Sequence, residues 1–267
     1  MQKIAVHSVP RSGSTWLGNI FNSHPDVVFK YQPLFSYAFK DYLTDNSSDK
    51  DICSFFDKIA KTKDVFMDQS DEKERGIVPK FLKNEHPTHI CYKEVRYHNI
   101  LENIVEKSVN VKFILLIRNP LAVLYSWKNA PKEFRAEKGW SFDAEWRNAP
   151  SKNLNLHEEY NGFEKWKEAS YLFLDLQKRY SKKVLVLEYN DLLQEPELTI
   201  QAAFKFVNLE FNPQTAKFLE DSTSKNMDDS YSVFKIREKD TDWKNLPENI
   251  INYVRQDLNG TSLEKYL

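Results

Sequence analysis

Apolar residues along the chain fall into two kinds of run. The first kind is short, nearly continuous and rich in β-branched residues: KIAVHSV (3–9), VVFKYQ (27–32), HICYKEVR (89–96), VKFILLI (111–117) and KVLVLEY (183–189). These read as strands. The second kind places an apolar residue every three or four positions. STWLGNIFNS (14–23) sets Trp16, Leu17, Ile20 and Phe21 on one side, and residues 157–180 align Phe163, Trp166, Phe173, Leu176 and Tyr180. PLAVLYSWKN (120–129) and residues 197–207 each open on or just after a proline, as first helical turns do. Strands alternating with helices predict an α/β fold: a three-layer sandwich around a central parallel sheet with right-handed crossovers. VKFILLI shows no alternation, as expected of a central strand covered on both faces.

Two stretches, near 40–85 and 128–162, depart from this rhythm. They are charged, loop-prone and dotted with Phe, Trp and Tyr, and read as insertions covering one end of the sheet within a single domain spanning 1–267. Composition adds little: 41% hydrophobic residues, 29% charged and a net charge of −1 give no reason to invoke nucleic acid. The longest apolar run, FILLI at 113–117, is far below the ~20 residues that span a bilayer, and MQKIAVHSVPR is too short an apolar run for a secretory signal. A cytoplasmic protein with two reduced, buried cysteines, Cys53 and Cys91, is expected, since neither sits at metal-ligand or CxxC spacing.

The chemistry concentrates where strands end. Within HSVPRSGSTWL (7–17), the part PRSGSTWL (10–17) packs one glycine, three hydroxyls and an arginine between a strand and an apolar helical stripe. Ligands of open α/β sheets gather at such points, and a helix N-terminus offers unpaired N–H groups to an anion. Arg11 brings a fixed charge, Ser12, Ser14 and Thr15 bring hydroxyl donors, and Gly13 allows close backbone approach. Arg118 ends a second strand in the same way. The loop is not a Walker A sequence: it has one glycine, and its basic residue precedes that glycine.

PRSGSTWL together with ILLIRNPLAVLYS resembles the signature pair of sulfotransferases that use 3′-phosphoadenosine-5′-phosphosulfate (PAPS). The resemblance implies a P-loop NTPase-like topology and transfer of a sulfuryl group to a hydroxyl, with no metal. It implies that Arg11 contacts the bridging oxygen and the transferred group. Ser12, Gly13, Ser14 and Thr15 would then wrap the 5′-phosphate, Trp16 would stack on adenine, and Arg118 and Ser126 would bind the 3′-phosphate. Tyr189, in LEYNDLL, resembles a family tyrosine that approaches the nucleotide. FKIREKDTDWKN (234–245) resembles the loop that closes over the 3′-phosphate, with Lys235, Arg237 and Lys239 as candidates.

Lys93 matches a family lysine near the transferred group. Neither usual proton acceptor is in place: YKEVRYH (92–98) replaces a KTH-type strand end, and Gln32 stands where other members carry a carboxylate. Glu94 and His98 are the nearest candidate bases. The early segment and KEVR (93–96) look closer to carbohydrate-type members, while Phe35, Tyr37, Phe39, Tyr42, Phe134, Trp140, Phe142 and Trp146 could form an apolar acceptor pocket or stack on sugar faces. A carbohydrate, sterol or lipid-like acceptor is therefore expected. A nucleotide-binding protein without catalysis, and a P-loop kinase, are the alternatives.

Overall fold

Strand β1 (Gln2–His7) runs through the middle of a five-stranded sheet ordered β2 (Val27–Tyr31), β3 (His89–Glu94), β1, β4 (Val111–Ile117), β5 (Val184–Glu188). Every pairing is parallel. The structure is a computed structural model and describes residues 1–227, 229, 231–234, 236 and 240–267. The helices that pack on the sheet are α1 (Ser14–Ser23), α2 (Asp49–Lys61), α3 (Leu101–Lys107), α4 (Pro120–Lys128), α5 (Phe163–Arg179), α6 (Pro196–Phe206), α7 (Pro213–Ser224) and α8 (Glu248–Leu258).

Strand geometry sends alternate side chains to opposite faces, which gives the sheet two cores. On one face Ala5, Tyr92, Phe113, Leu115 and Ile117 pack against apolar residues of α2, α3, α4, α5 and α8. On the other, Ile4, Val6, Cys91, Ile114 and Leu116 pack against α1, α6 and α7. This is the three-layer α/β arrangement that the sequence predicts. All seven residues of β4 lie at or near full burial apart from Lys112, as the unalternating run requires.

Two segments differ from the sequence reading. Residues 49–61, expected as loop-prone insertion, form a regular helix: Ser48 and Asp51 make a capping box, and Ile52, Phe55, Phe56 and Ile59 bury one stripe. The helix expected over 157–180 begins only at Phe163. Gly162 precedes it at φ +87, and a Cβ there would lie 2.8 Å from the Arg147 carbonyl oxygen, so the chain turns in tightly against residues 147–149 before the helix can start. Cys91 is buried but Cys53 is only half-buried. Among the described residues no helix is long and apolar enough to cross a membrane.

The connection leaving β1 passes to the β3–β2 side of the sheet, whereas the one leaving β4 passes to β5. A crevice therefore opens between the C-terminal ends of β1 and β4, the usual ligand position in open α/β sheets. Arg11 follows one of these strands and Arg118 the other.

Candidate active site

Helix α1 starts without a side-chain cap. Its N-cap is Gly13 at φ +89, and no acidic residue stands in its first turn. By contrast, Asn119 caps α4 and Asn212 caps α7 with side-chain oxygens. The leading N–H groups of α1 are thus left for an anion from outside. Gly13 is required sterically as well as conformationally, since a Cβ there would lie 2.4 Å from Cε2 of Tyr189. Arg11 also adopts a left-handed backbone, at φ 68, and Ser12 Oγ is buried with no hydrogen-bond partner. Strain and an orphaned hydroxyl in one four-residue loop mark a segment shaped for binding rather than stability.

Around this loop lies a cleft of about 270 Å³. Arg11, Gly13, Ser14, Thr15, Trp16, Lys93, Arg118, Ser126 and Tyr189 all contribute to its wall, so chain segments far apart in sequence meet there. Ser12 backs the loop without reaching the wall. Lys235, Arg237 and Lys239 lie outside the described residues.

Arg118 organises one end. Its Nη1 donates to the Arg11 carbonyl at 2.7 Å, its Nε and Nη2 donate to the two carboxylate oxygens of Asp240 at 2.6 and 2.5 Å, and its guanidinium lies 4.6 Å over the Tyr189 ring. Asp240 thus fills the bidentate position that a phosphate would take. Beside it, Arg11 Nε donates to Ser126 Oγ at 3.1 Å. Trp16 is half-buried and fixed: Nε1 donates to Ser222 Oγ at 2.9 Å, and the ring stands edge-on to Tyr189.

At the other end, Lys93 is buried with its ammonium 4.4 Å over the Tyr31 ring. Burial lowers its pKa, and the neighbouring Glu94 only partly offsets this. Arg96, unselected in the sequence reading, donates to Glu159 at 2.7 Å and to Gln32 at 2.9 Å and lies 4.1 Å over Phe35. Gln32 accepts from Arg96 and lines the cleft. Tyr31, Phe66, Arg75, Lys132, Glu133 and Tyr231 complete this side.

Glu94 and His98 are placed elsewhere. Glu94 accepts from the backbone N–H of Leu34 and of Val95, both at 3.2 Å, is fully buried, and is absent from the cleft wall; burial pushes its carboxyl up. His98 is also fully buried, between β1 and α5, and its Nε2 contacts the Ser8 carbonyl at 3.1 Å. That contact makes Nε2 the protonated nitrogen, so Nδ1 must accept from His7 Nδ1–H at 3.2 Å, and His7 Nε2 in turn accepts from the Tyr92 hydroxyl at 3.1 Å. The chain is satisfied with both rings neutral. Burial lowers the pKa of His7 well below its ordinary value and that of His98 to about 3. Both side chains therefore brace the site from beneath, and neither reaches it.

The sequence model of the sulfotransferase family matches residues 3–213, most of the chain and all five strands. The protein belongs to the sulfotransferase family. This sulfotransferase is 26% identical over 213 residues to a Caenorhabditis briggsae protein named "Putative protein-tyrosine sulfotransferase", covering 80% of this chain and 68% of the other. It is 27% identical over 176 residues to carbohydrate sulfotransferase 3 of Tetronarce californica, covering 63% of this chain and 39% of that one. Its fold matches mouse sulfotransferase SULT7A1, solved in complex with PAP, at a TM-score of 0.56, with 16% identity, 99% of this chain and 87% of the other. The sulfotransferase domain of the Synechococcus PCC 7002 olefin synthase matches at 0.51, with 16% identity and coverage of 95% and 93%. The family sets aside the kinase and the purely nucleotide-binding alternatives.

Proposed function

We propose that this sulfotransferase takes its sulfuryl group from PAPS and passes it to the hydroxyl of a carbohydrate, sterol or lipid-like acceptor, leaving 3′,5′-adenosine bisphosphate (PAP). The observation that carries the reading is the meeting of Arg118, Ser126 and Arg11 beside the uncapped start of α1. Two anion positions are thereby built a short distance apart, as a nucleotide with 5′ and 3′ charges needs. The residues fit the group: Asp240 already stands as an anion on Arg118, and the Gly13 cradle has no room for a Cβ.

PAPS supplies an activated sulfuryl group, so the protein's part is positioning and charge stabilisation. The N–H groups of Ser14 and Thr15, with the hydroxyls of the same two residues, would hold the 5′-phosphate, while Ser12 supports the loop from behind. Arg118 would exchange Asp240 for the 3′-phosphate, with Ser126 donating to it. Arg11, released from Ser126, would turn to the oxygen on which charge develops as the sulfur–oxygen bond breaks. Lys93 would neutralise the transferred group from the opposite wall, and Trp16 with Tyr189 would flank the base. The covering segments 40–85 and 128–162 supply acceptor-side walls within one domain. Cys53 and Cys91, both unpaired, suit a reducing compartment such as the cytoplasm.

The test combines PAP and AMP binding by calorimetry with transfer from ³⁵S-labelled PAPS to a panel comprising a tyrosyl peptide, an N-acetylglucosamine-bearing oligosaccharide and a sterol. Arg118→Ala and Ser126→Ala are expected to weaken PAP at least tenfold while changing AMP by less than threefold. Equal losses for the two nucleotides would refute the 3′-phosphate assignment, and absence of transfer to every acceptor would refute the reaction.

A further inference from the structure

With Glu94 and His98 placed away from the cleft, the acceptor hydroxyl still needs a group to take its proton. Three carboxylates line the described wall: Glu72, Glu133 and Asp229. Asp229 is committed, pairing with Arg75 at 3.1 Å and accepting from the Tyr231 N–H. Glu72 is not among the charges that act most strongly on Lys93, which are Glu94, Arg96, Glu133 and Arg11. Glu133 alone of the three bears on both Lys93 and Arg11, the two residues read as flanking the transferred group.

The loop carrying Glu133 is held on both sides. The Glu133 and Phe134 N–H groups both donate to the Ala130 carbonyl at 2.8 Å, and Phe134 packs edge-on against Trp127 at 5.3 Å. The Lys132 N–H donates to the Tyr231 hydroxyl at 2.9 Å. Within this frame, Glu133 Oε2 is buried 2.9 Å from Lys152 Nζ but makes no aligned hydrogen bond, while 26% of the side chain stays exposed. One oxygen is thus anchored by Lys152 while the residue itself forms part of the cleft wall. Lys152 comes from residues 150–153, within the segment 128–162 that the sequence reading takes as an insertion covering one end of the sheet.

We propose that Glu133 is the general base of the reaction and Lys152 its positioning residue. The assignment rests on the sulfuryl-transfer reading above. The acceptor O–H proton passes to the Glu133 carboxylate as the acceptor oxygen forms its bond to sulfur. The sulfur–oxygen bond to the 5′-phosphate breaks, and its electron pair leaves on PAP, where Arg11 meets the charge. The groups facing Glu133 are Lys152, Arg96, Arg11, Lys93, Tyr31 and Tyr231. Burial pushes its carboxyl up, but Lys152, with Arg96 and Arg11 behind it, holds it below the ordinary value, so it is ionised at neutral pH.

The experiment compares wild type, Glu133→Gln, Glu133→Asp and Lys152→Met for transfer from PAPS to the best acceptor of the panel, across pH, with PAP affinity measured alongside. Glu133→Gln is expected to lower kcat by about 10²–10⁴-fold, leave PAP affinity within threefold and abolish the acid limb of the pH profile, while Glu133→Asp keeps the limb with part of the rate. Lys152→Met removes the nearest cation, so the limb moves to higher pH. Retention of kcat within threefold in Glu133→Gln, an acid limb unchanged in that variant, or a rate loss matched by lost PAP affinity would each overturn the assignment while leaving the transferase reading standing. A wild-type enzyme that transfers to no acceptor fails the parent reading, and the base assignment with it.

Discussion

Gly13→Ala tests whether the loop is built as described. At φ +89 a Cβ costs about 1–2 kcal/mol from backbone sterics alone. The new methyl would also lie 2.4 Å from Cε2 and 2.7 Å from Cδ2 of Tyr189, at least about 1 Å short of ordinary van der Waals contact. Tyr189 cannot simply swing aside: it is 2% exposed and has Arg118 stacked over its ring at 4.6 Å. Overpacking of this kind costs about 1–3 kcal/mol. The two effects together predict a loss of about 2–5 kcal/mol. For a domain of this size that lowers Tm by roughly 4–20 °C, taking about 2–4 °C per kcal/mol. Thermal unfolding by calorimetry reads this directly, and PAP binding should fall with it because Arg118 shifts with the ring. A cycle with Tyr189→Ala separates the terms: in that background Gly13→Ala should cost only the backbone share, leaving a coupling of about 1–3 kcal/mol. A Tm change under 2 °C with PAP affinity intact, or a cycle with no coupling, would refute the proposed packing.

Three further outcomes follow from the site. His7 and His98 are buried neutral, so below about pH 6.5 the unfolded chain binds protons that the folded one refuses; stability falls as pH drops, by about 1.4 kcal/mol per unit for His98 down to about pH 3 and in the same direction for His7. Glu94, raised by burial, tilts the same window the other way, so the test is the difference between wild type and His98→Gln in urea unfolding at pH 5 and 6: the variant's slope should be flatter by that amount, and equal slopes would refute the neutral relay. Glu159→Ala strands the Arg96 guanidinium, whose side chain is 9% exposed, and should cost about 3–5 kcal/mol by denaturant unfolding; a loss under 1 kcal/mol would show that Gln32 and Phe35 suffice. Asp240→Ala frees Arg118 from its internal anion and should tighten PAP by about tenfold, on the order of one charge-assisted hydrogen bond, whereas unchanged or weaker binding would show that Asp240 orients Arg118 instead of competing.

Most of the scaffold was legible because its signals are local. The apolar runs delimit all five strands to within one or two residues, and Pro120 and Pro196 each open a helix as read. Helix α2 was equally local, since Ser48 and Asp51 spell a capping box ahead of a regular apolar stripe, but it sits in a charged segment that masks its periodicity. The nucleotide side of the cleft could be anticipated from two strand-end motifs. The acceptor side could not, because it depends on long-range placement. Glu94 and His98 look accessible in sequence, one at the end of β3 and the other four positions beyond it, yet the backbone N–H groups of Leu34 and Val95 claim one and the Ser8 carbonyl the other. Glu133 carries no motif at all and reaches the cleft because Ala130 and Phe134 are buried around it.

The hydrogen bond from Arg118 to the Arg11 carbonyl joins residues 107 positions apart. It needs β1 and β4 side by side, so a fragment of the chain that ends before β4 cannot make it. Parallel pairings of such long sequence separation close slowly, since loop entropy is lost before the contacts are gained. On the proposed function, PAP would bind only molecules in which β1 and β4 are paired, and at a hundred times its Kd it would hold that state by about 2.7 kcal/mol. PAP would then serve as a refolding additive and as a purification handle that selects finished molecules over trapped ones.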